Sequence, residues 1–450
     1  MLLGDPKRAI VQLSIPMIIG MSVHTIYNLV DAIWVAGLGS DALAAVGFVF
    51  PIFFMLMGIA TGLGTGGGAA ISRMIGAKDK NGADSVAVHT IVIMLILVVV
   101  FTIPLYLFSE GIFTGMRAGS ATEMSVSYAR VIFAGTIFVL FSNIANALLR
   151  AEGDAKRAMQ AMVLGTFLNI ALDPIMIYTL EMGVAGAAWA TVISLAITSI
   201  LMANWLIFKN DTYVSLNFNK FRFDRDIVID ILRVGFPASV MQLSMAFTML
   251  IMNLIIVMVD STDGVAIYTT GWRVVTIAIL PLLGMSTAVV SVSGAAFGAK
   301  TYEKLNVVHL YSIRIGLIIE ATIAIATFLL APQITAIFTQ AEGAAHIAPD
   351  LITFLRIITL FYPGVAFGMM SSSLFQGIGK GMYALVATVL RSLILTPLFA
   401  ILFGFVFESG LPGMWWSLVI ANLSGSMVAF LWARYHLGGL LKDQNFESSA

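Results

Sequence analysis

Long apolar runs recur along the whole chain, near residues 10–34, 43–70, 86–109, 126–148, 158–180, 184–208, 232–258, 265–292, 306–330, 351–375, 382–405 and 411–433. Each is long enough to cross about 30 Å of hydrocarbon as a helix of some twenty residues. The expectation is an all-α polytopic membrane protein of about twelve spans. Composition agrees. The 450 residues are 59% hydrophobic and 11% charged, less than half the charge of a typical soluble domain. Lys+Arg and Asp+Glu both number 24, so net charge makes no case for a nucleic-acid partner. Cysteine is absent, which excludes disulfides and thiolate chemistry. The first apolar run is too long for a signal-peptide core and no small-residue cleavage pattern follows, so it reads as a retained helix.

Connections between the runs alternate in charge. Basic residues from Lys7 and Arg8 through Arg73, Lys78, Arg150, Arg157, Lys220, Arg225, Lys300 and Lys380 to Lys442 fall on one side. The other side holds Arg117 and acids such as Asp41, Glu181, Asp260, Glu342 and Glu408. The positive-inside rule then puts both termini in the cytoplasm of a multi-pass plasma-membrane protein.

The chain also repeats itself. Gly76-Ala77-Lys78 returns as Gly298-Ala299-Lys300, Pro16 maps on Pro237, and Gly183 to Gly186 with Trp189 returns as Gly410 to Gly413 with Trp416. The expected organisation is two six-helix bundles, 1–208 and 232–436, joined by a polar linker at 209–231 and followed by a tail at 437–450. Such a repeat suits alternating access. The plainer alternative is duplication into a stable bundle of any function.

Asp31, in Tyr27-Asn28-Leu29-Val30-Asp31, lies inside the first run, and an acid at that depth points to an ion or substrate pathway. At 1.5 Å per residue it sits about 10 Å from the helix end. Asp173 in the fifth run and Thr191 in the sixth fall at about the same depth. Asn169 and Asp173 share a helix face, as do Tyr27 and Asp31. Pro174 cannot donate a backbone hydrogen bond, so it loosens the helix beside its acid and frees a carbonyl. Two carboxylates close together in low dielectric cannot both stay ionised cheaply, which is the chemistry of a proton-coupling site. Asp31, Asn169, Asp173 and Thr191 could equally hold a sodium ion, or the two acids could merely satisfy each other.

The second half does not repeat the acids: Asn253 stands near the place of Asp31, and Thr396-Pro397 near that of Asp173-Pro174. Glu320 is its remaining membrane acid, with Arg314 on the same helix and Arg273, Arg356 and Arg391 in neighbouring runs as candidate partners. Both a structural ion pair and a substrate contact suit it. The glycines from Gly62 to Gly68 read as close helix packing, since no Gly-Lys-Ser/Thr follows to make a phosphate cradle. No nucleophile motif or zinc-ligand spacing is present, so the chain does not read as an enzyme.

Taken together, Pro16, Tyr27 to Asp31, Ala42-Leu43-Ala44-Ala45, Gly76-Ala77, Asn169 to Pro174 and the glycines before Trp189 make the chain similar to a known family. It resembles the multidrug and toxic compound extrusion (MATE) transporters of the MOP flippase superfamily over nearly its whole length, most of all the archaeal and DinF-type branch. The resemblance implies two six-helix lobes that expel organic cations and other amphipathic compounds in exchange for H+ or Na+, as a monomer with no other cofactor. It also implies an ion site at Tyr27, Asp31, Asn169, Asp173 and Thr191, and a bend of the first helix at Pro16. The sodium-driven branch carries acids in the seventh and tenth helices, whereas Gln242 to Met249 and Val365 to Ser371 contain none. Coupling is therefore expected in the first lobe. The rivals are a lipid-linked precursor flippase of the same superfamily and, more distantly, an intramembrane enzyme.

Overall fold

The computed structural model describes residues 2–449 apart from 210–211, 219–220 and 341; the side chains of Leu29, 342–344, Asp443 and 445–449 are likewise not described. Lys220 and the Glu342 side chain, both part of the charge pattern above, lie outside the described residues. Helices run α1 (Pro6–Ala36), α2 (Ser40–Gly76), α3 (Lys80–Leu107), α4 (Ser109–Gly115), α5 (Thr122–Ala134), α6 (Thr136–Glu152), α7 (Ala155–Pro174) and α8 (Gly183–Ala203). They continue as α9 (Arg225–Val259), α10 (Thr262–Ala278), α11 (Leu280–Gly298), α12 (Tyr302–Phe338), α13 (Ala348–Ile358), α14 (Phe361–Gly377), α15 (Gly381–Val389), α16 (Thr396–Ile401) and α17 (Gly410–Ser449). Among the described residues there is no strand. Among the described residues, ten helices are long and apolar enough to cross a membrane, or twelve spans if each of two bent pairs counts as one.

Those two bends occupy equivalent places in the repeat. The pair ending in α5 and α6 bends by 50°, and the pair ending in α13 and α14 by 48°. At each break a threonine hydroxyl turns back to a carbonyl three residues earlier: Thr136 Oγ1 donates to Phe133 O and Thr359 Oγ1 to Arg356 O, both at 2.7 Å. Such back-bonding competes with the helical ladder and favours bending. A Cβ at Gly135, in the first break, would collide with the Val192 side chain of α8, so the close approach requires glycine there.

The helix ends repeat as well. Lys78 and Lys300 both take a left-handed conformation, with φ of 60° and 52°. In each, the following residue reaches back five positions: Asp79 N donates to Met74 O at 2.9 Å, and Thr301 N to Ala296 O at 3.0 Å. These are the closing bonds of matching Schellman caps. Glu181 and Glu408 are left-handed too, with φ of 53° and 47°.

The chain forms two compact units, residues 15–239 and residues 1–14 with 240–450. The segment at 209–231 and the start of α9 belong to the first of these. In that unit the glycines of α2 serve the close packing expected of them. A Cβ on Gly64 would press on Ala147 of α6, one on Gly67 on Thr90 of α3, and one on Gly66 on the backbone of α9 at Ile231 and Gly235. The second unit is built on an apolar core that includes Tyr268, Phe354, Leu355, Tyr362 and Trp415. There Phe354 meets Trp415 edge-on, with ring centroids 4.8 Å apart.

Candidate functional site

Within the unit of residues 15–239, α1, α5, α7 and α8 bring one set of polar side chains together. Helical spacing places Tyr27 and Asp31 one turn apart on α1, and Asn169 and Asp173 one turn apart on α7. The Asp31 and Asp173 carboxyls lie close enough to interact electrostatically. Asn169 bridges α7 to α8. With its amide oriented to satisfy both neighbours, Nδ2 donates to Asp173 Oδ2 at 3.0 Å and Oδ1 accepts from Thr191 N at 3.0 Å and Thr191 Oγ1 at 3.3 Å. The Tyr27 hydroxyl lies near Thr191 as well. All five residues expected at the ion site therefore meet.

Burial is graded across the cluster. Asp173 is fully enclosed and Asn169 is 3% exposed, whereas Tyr27, Asp31 and Thr191 are half-buried. Asp173 Oδ1 has no hydrogen-bond partner among the described residues. Val35, Ala42, Ile177, Val184 and Ala187 form an apolar cluster, against which Trp34 and Tyr128 pack.

The local backbone follows from Pro174. Helix α7 ends there, and residues Ile175–Thr179 continue as one wide π turn closed by Leu180 N to Ile175 O at 2.8 Å. The loosening expected beside Asp173 thus takes the form of an extra residue in the turn, a feature found often at functional sites. Downstream, the Tyr178 hydroxyl returns to α1 and donates to Trp34 O at 2.6 Å. Helix α1 runs unbroken through Pro16.

Tyr128 of α5 is a member of the site that the sequence reading missed. Its hydroxyl lies in the electrostatic field of both Asp31 and Asp173. A tyrosine near the start of a span reads as an interfacial anchor, and nothing in its neighbours points inward.

The candidates in the other unit do not assemble with basic partners. Glu320 is fully buried, while Arg314 and Arg273 are exposed, and among the described residues Glu320 makes no ion pair with either. Arg314 precedes Glu320 by six residues, which is about 240° around the helix and puts it on another face. Arg356 lies over the Phe328 ring, 5.4 Å from its centroid, and Arg391 donates to Asn422 Oδ1 at 3.4 Å.

Comparison with known proteins agrees with this architecture. The MatE family profile matches residues 16–175 and 237–402. The chain belongs to the MatE family, whose members are multi-pass membrane transporters and not enzymes. Among its relatives is the multidrug export protein MepA of Staphylococcus aureus strain N315, 28% identical over 429 residues that cover 94% of this chain and 92% of MepA. A crystal structure of MATE in complex with MaL6 superposes with a TM-score of 0.95 at 48% identity, covering 98% of each chain. A MOP superfamily transporter from Pyrococcus furiosus Vc1 superposes with a TM-score of 0.94 at 48% identity, over 98% of this chain and 97% of that one. It is described as having a binding pocket of reversed polarity that suggests a different function.

Proposed function

We propose that this protein is a secondary active efflux antiporter that exports amphipathic small molecules in exchange for protons. The observation that supports the reading is a fully buried carboxyl, Asp173, bridged through Asn169 to Thr191 and interacting with the carboxyl of Asp31. Two carboxylates that interact in a buried site cannot both stay ionised cheaply, so the pair favours holding a proton between them. Asp31, half-buried, is the member with access to water, and Asp173, enclosed and held by Asn169, is the member that keeps the pair in place. Proton exchange at the pair changes the charge of the site by one unit, and substrate favours the less protonated state. A sodium ion at Asp31, Asn169, Asp173 and Thr191 is the alternative coupling ion; it would have to take the place of the proton held by the pair.

In this reading both termini are cytoplasmic, and bending of α1 at Pro16 accompanies proton loading. Proline there leaves the Gln12 carbonyl without its helical donor, so the helix is weakest at that point. The name of MepA supports multidrug substrates, while the description of the Pyrococcus furiosus relative makes substrate charge the part of the reading to be tested separately.

The test is uptake of cationic, neutral and anionic amphiphiles into proteoliposomes under separately imposed pH and sodium gradients. Wild-type protein should concentrate substrate under a pH gradient alone, and Asp31→Asn and Asp173→Asn should each lower that rate at least tenfold. Full gradient-driven transport by both variants, or transport driven by sodium alone, would sink the proton-coupled mechanism.

A further inference from the structure

Glu320 stands at the midpoint of α12, so about 27 Å of helix lies on either side of it. It is fully buried, on the face that also buries Ile313, Gly316 and Thr327. One turn earlier, a Cβ on Gly316 would press on Leu282 and Met285 of α11 and on Ala366 of α14, so the helices close tightly around this level. One turn later, Ile323 and Ala324 pack on the apolar core of the unit. Yet neither carboxyl oxygen of Glu320 has a hydrogen-bond partner among the described residues.

An ionised carboxylate in such a place, with no donor and no cation, costs several kcal/mol by rough reckoning. The neutral acid is the form that fits. The titratable group facing it from a packed helix is Tyr362 of α14, whose hydroxyl also lies near Thr327. On its own helix the ionisable groups are directed elsewhere: His309 Nε2 bonds Ser371 Oγ at 3.0 Å, and Arg314 is exposed. Arg273 of α10 is exposed, Arg356 of α13 covers Phe328, and Arg391 turns to Asn422 of α17. A metal cation needs about six oxygen ligands. The pocket supplies the carboxyl pair and the hydroxyls of Tyr362 and Thr327, too few for that role.

We propose that Glu320 is a second proton-binding site, separate from the Asp31–Asp173 pair, that takes up and releases one proton as its surroundings open to water and close. Tyr362 and Thr327 are the groups that accept or donate to it when it opens. This does not depend on how the first-unit acids work.

Infrared difference spectra of the full-length protein in lipid, stepped in pH with and without sodium, test it. A protonated-carboxyl band should grow in on acidification in the Asp31→Asn/Asp173→Asn double variant, and be lost when Glu320→Gln is added to it. Carbon-13 labelling of glutamate in that double variant should shift the band and labelling of aspartate should not, which keeps the assignment open to test should the Glu320→Gln substitution fold poorly. In proteoliposomes the proton count per substrate should fall by one in Glu320→Gln. A band unaffected by glutamate labelling, a band that persists unchanged at every pH, or one removed by sodium at constant pH would each overturn the assignment.

Discussion

The Tyr178 hydroxyl donates to the Trp34 carbonyl at 2.6 Å, tying the end of α1 to the π turn that follows Pro174. The tie runs past Gly37, where a Cβ would overlap the tyrosine hydroxyl. Gly37→Ala should therefore displace Tyr178 and break the bond without removing either partner. Tyr178→Phe should cost about 0.5–1 kcal/mol, the net worth of one hydrogen bond. Both variants should lower the thermal midpoint, and the double variant should be no worse than the larger single effect, because both act on one contact. Additive losses would show that the two residues act independently.

Asn169 offers a second prediction. It is the donor to Asp173 Oδ2 and an acceptor for α8 at Thr191, at 3% exposure. Asn169→Ala leaves those buried groups unpaired, at a cost of about 1–3 kcal/mol. Asn169→Gln keeps the chemistry and misplaces it by one methylene. Both should impair gradient-driven transport at least as strongly as they destabilise the fold. Transport at the wild-type rate in both would show that Asp173 needs no positioning from α8.

How much of this was legible beforehand depends on which physical signal was in play. Asp31 and Asp173 were visible because a charged group in an apolar run is costly wherever it lies, and helical spacing then attached Tyr27 and Asn169 to them. Thr191 followed from depth alone. Tyr128 did not, because a single tyrosine has no periodic partner to say which way it faces. The twelve spans were legible from hydropathy. The bends at Thr136 and Thr359 were not, since a threonine in a helix gives no sign of whether its hydroxyl turns back to the backbone. Nor were the left-handed lysines Lys78 and Lys300, where glycine is the residue that signals such a turn. Of the partners expected for Glu320, Arg314 on the same helix is six residues away and so on the wrong face, and which way the arginines of neighbouring spans turn has no signal in hydropathy.

A third prediction concerns the fork between α2 and α9. Arg73 Nη2 reaches both oxygens of Asp230 at 2.8 Å, with the arginine side chain 10% and the aspartate side chain 33% exposed. Asp230→Ala should lower stability by about 1–2 kcal/mol, less than a fully buried pair would lose because solvent screens the aspartate. Arg73→Lys should lose part of that, since an ammonium is more strongly hydrated than a guanidinium and costs more to hold at a mostly buried position. The thermal midpoints should therefore rank wild type, Arg73→Lys, then Asp230→Ala. An Asp230→Ala midpoint equal to the wild type would mean that the pair adds nothing to the packing of Gly66 against α9.

The last prediction follows from how the segment before α9 is held. Val214 N donates to Glu152 Oε2 at 2.9 Å, Ser215 donates to Asp84 through its backbone at 2.8 Å and its hydroxyl at 3.1 Å, and Asp224 N donates to His89 Nε2 at 2.9 Å. The His89 ring is fixed from its other side by Ser85 O at 2.8 Å, which leaves Nε2 as the acceptor, and it packs on Phe221 with ring centroids 4.9 Å apart. Three side chains from α3 and α6 thus strap Val214, Ser215 and Asp224 to the bundle. Asp84→Ala removes two of these bonds, and His89→Phe removes one while keeping the ring contact. Trypsin should cut at Arg222 and Arg225 several-fold faster in Asp84→Ala than in the wild type, with His89→Phe between them, because proteolysis follows the population of the opened segment. Glu152→Gln keeps an acceptor for Val214 and should cut at the wild-type rate, whereas Glu152→Ala should cut faster. Equal rates in all four variants would mean that the apolar contacts of Val214, Leu216 and Phe221 hold the segment down without help from the polar bonds.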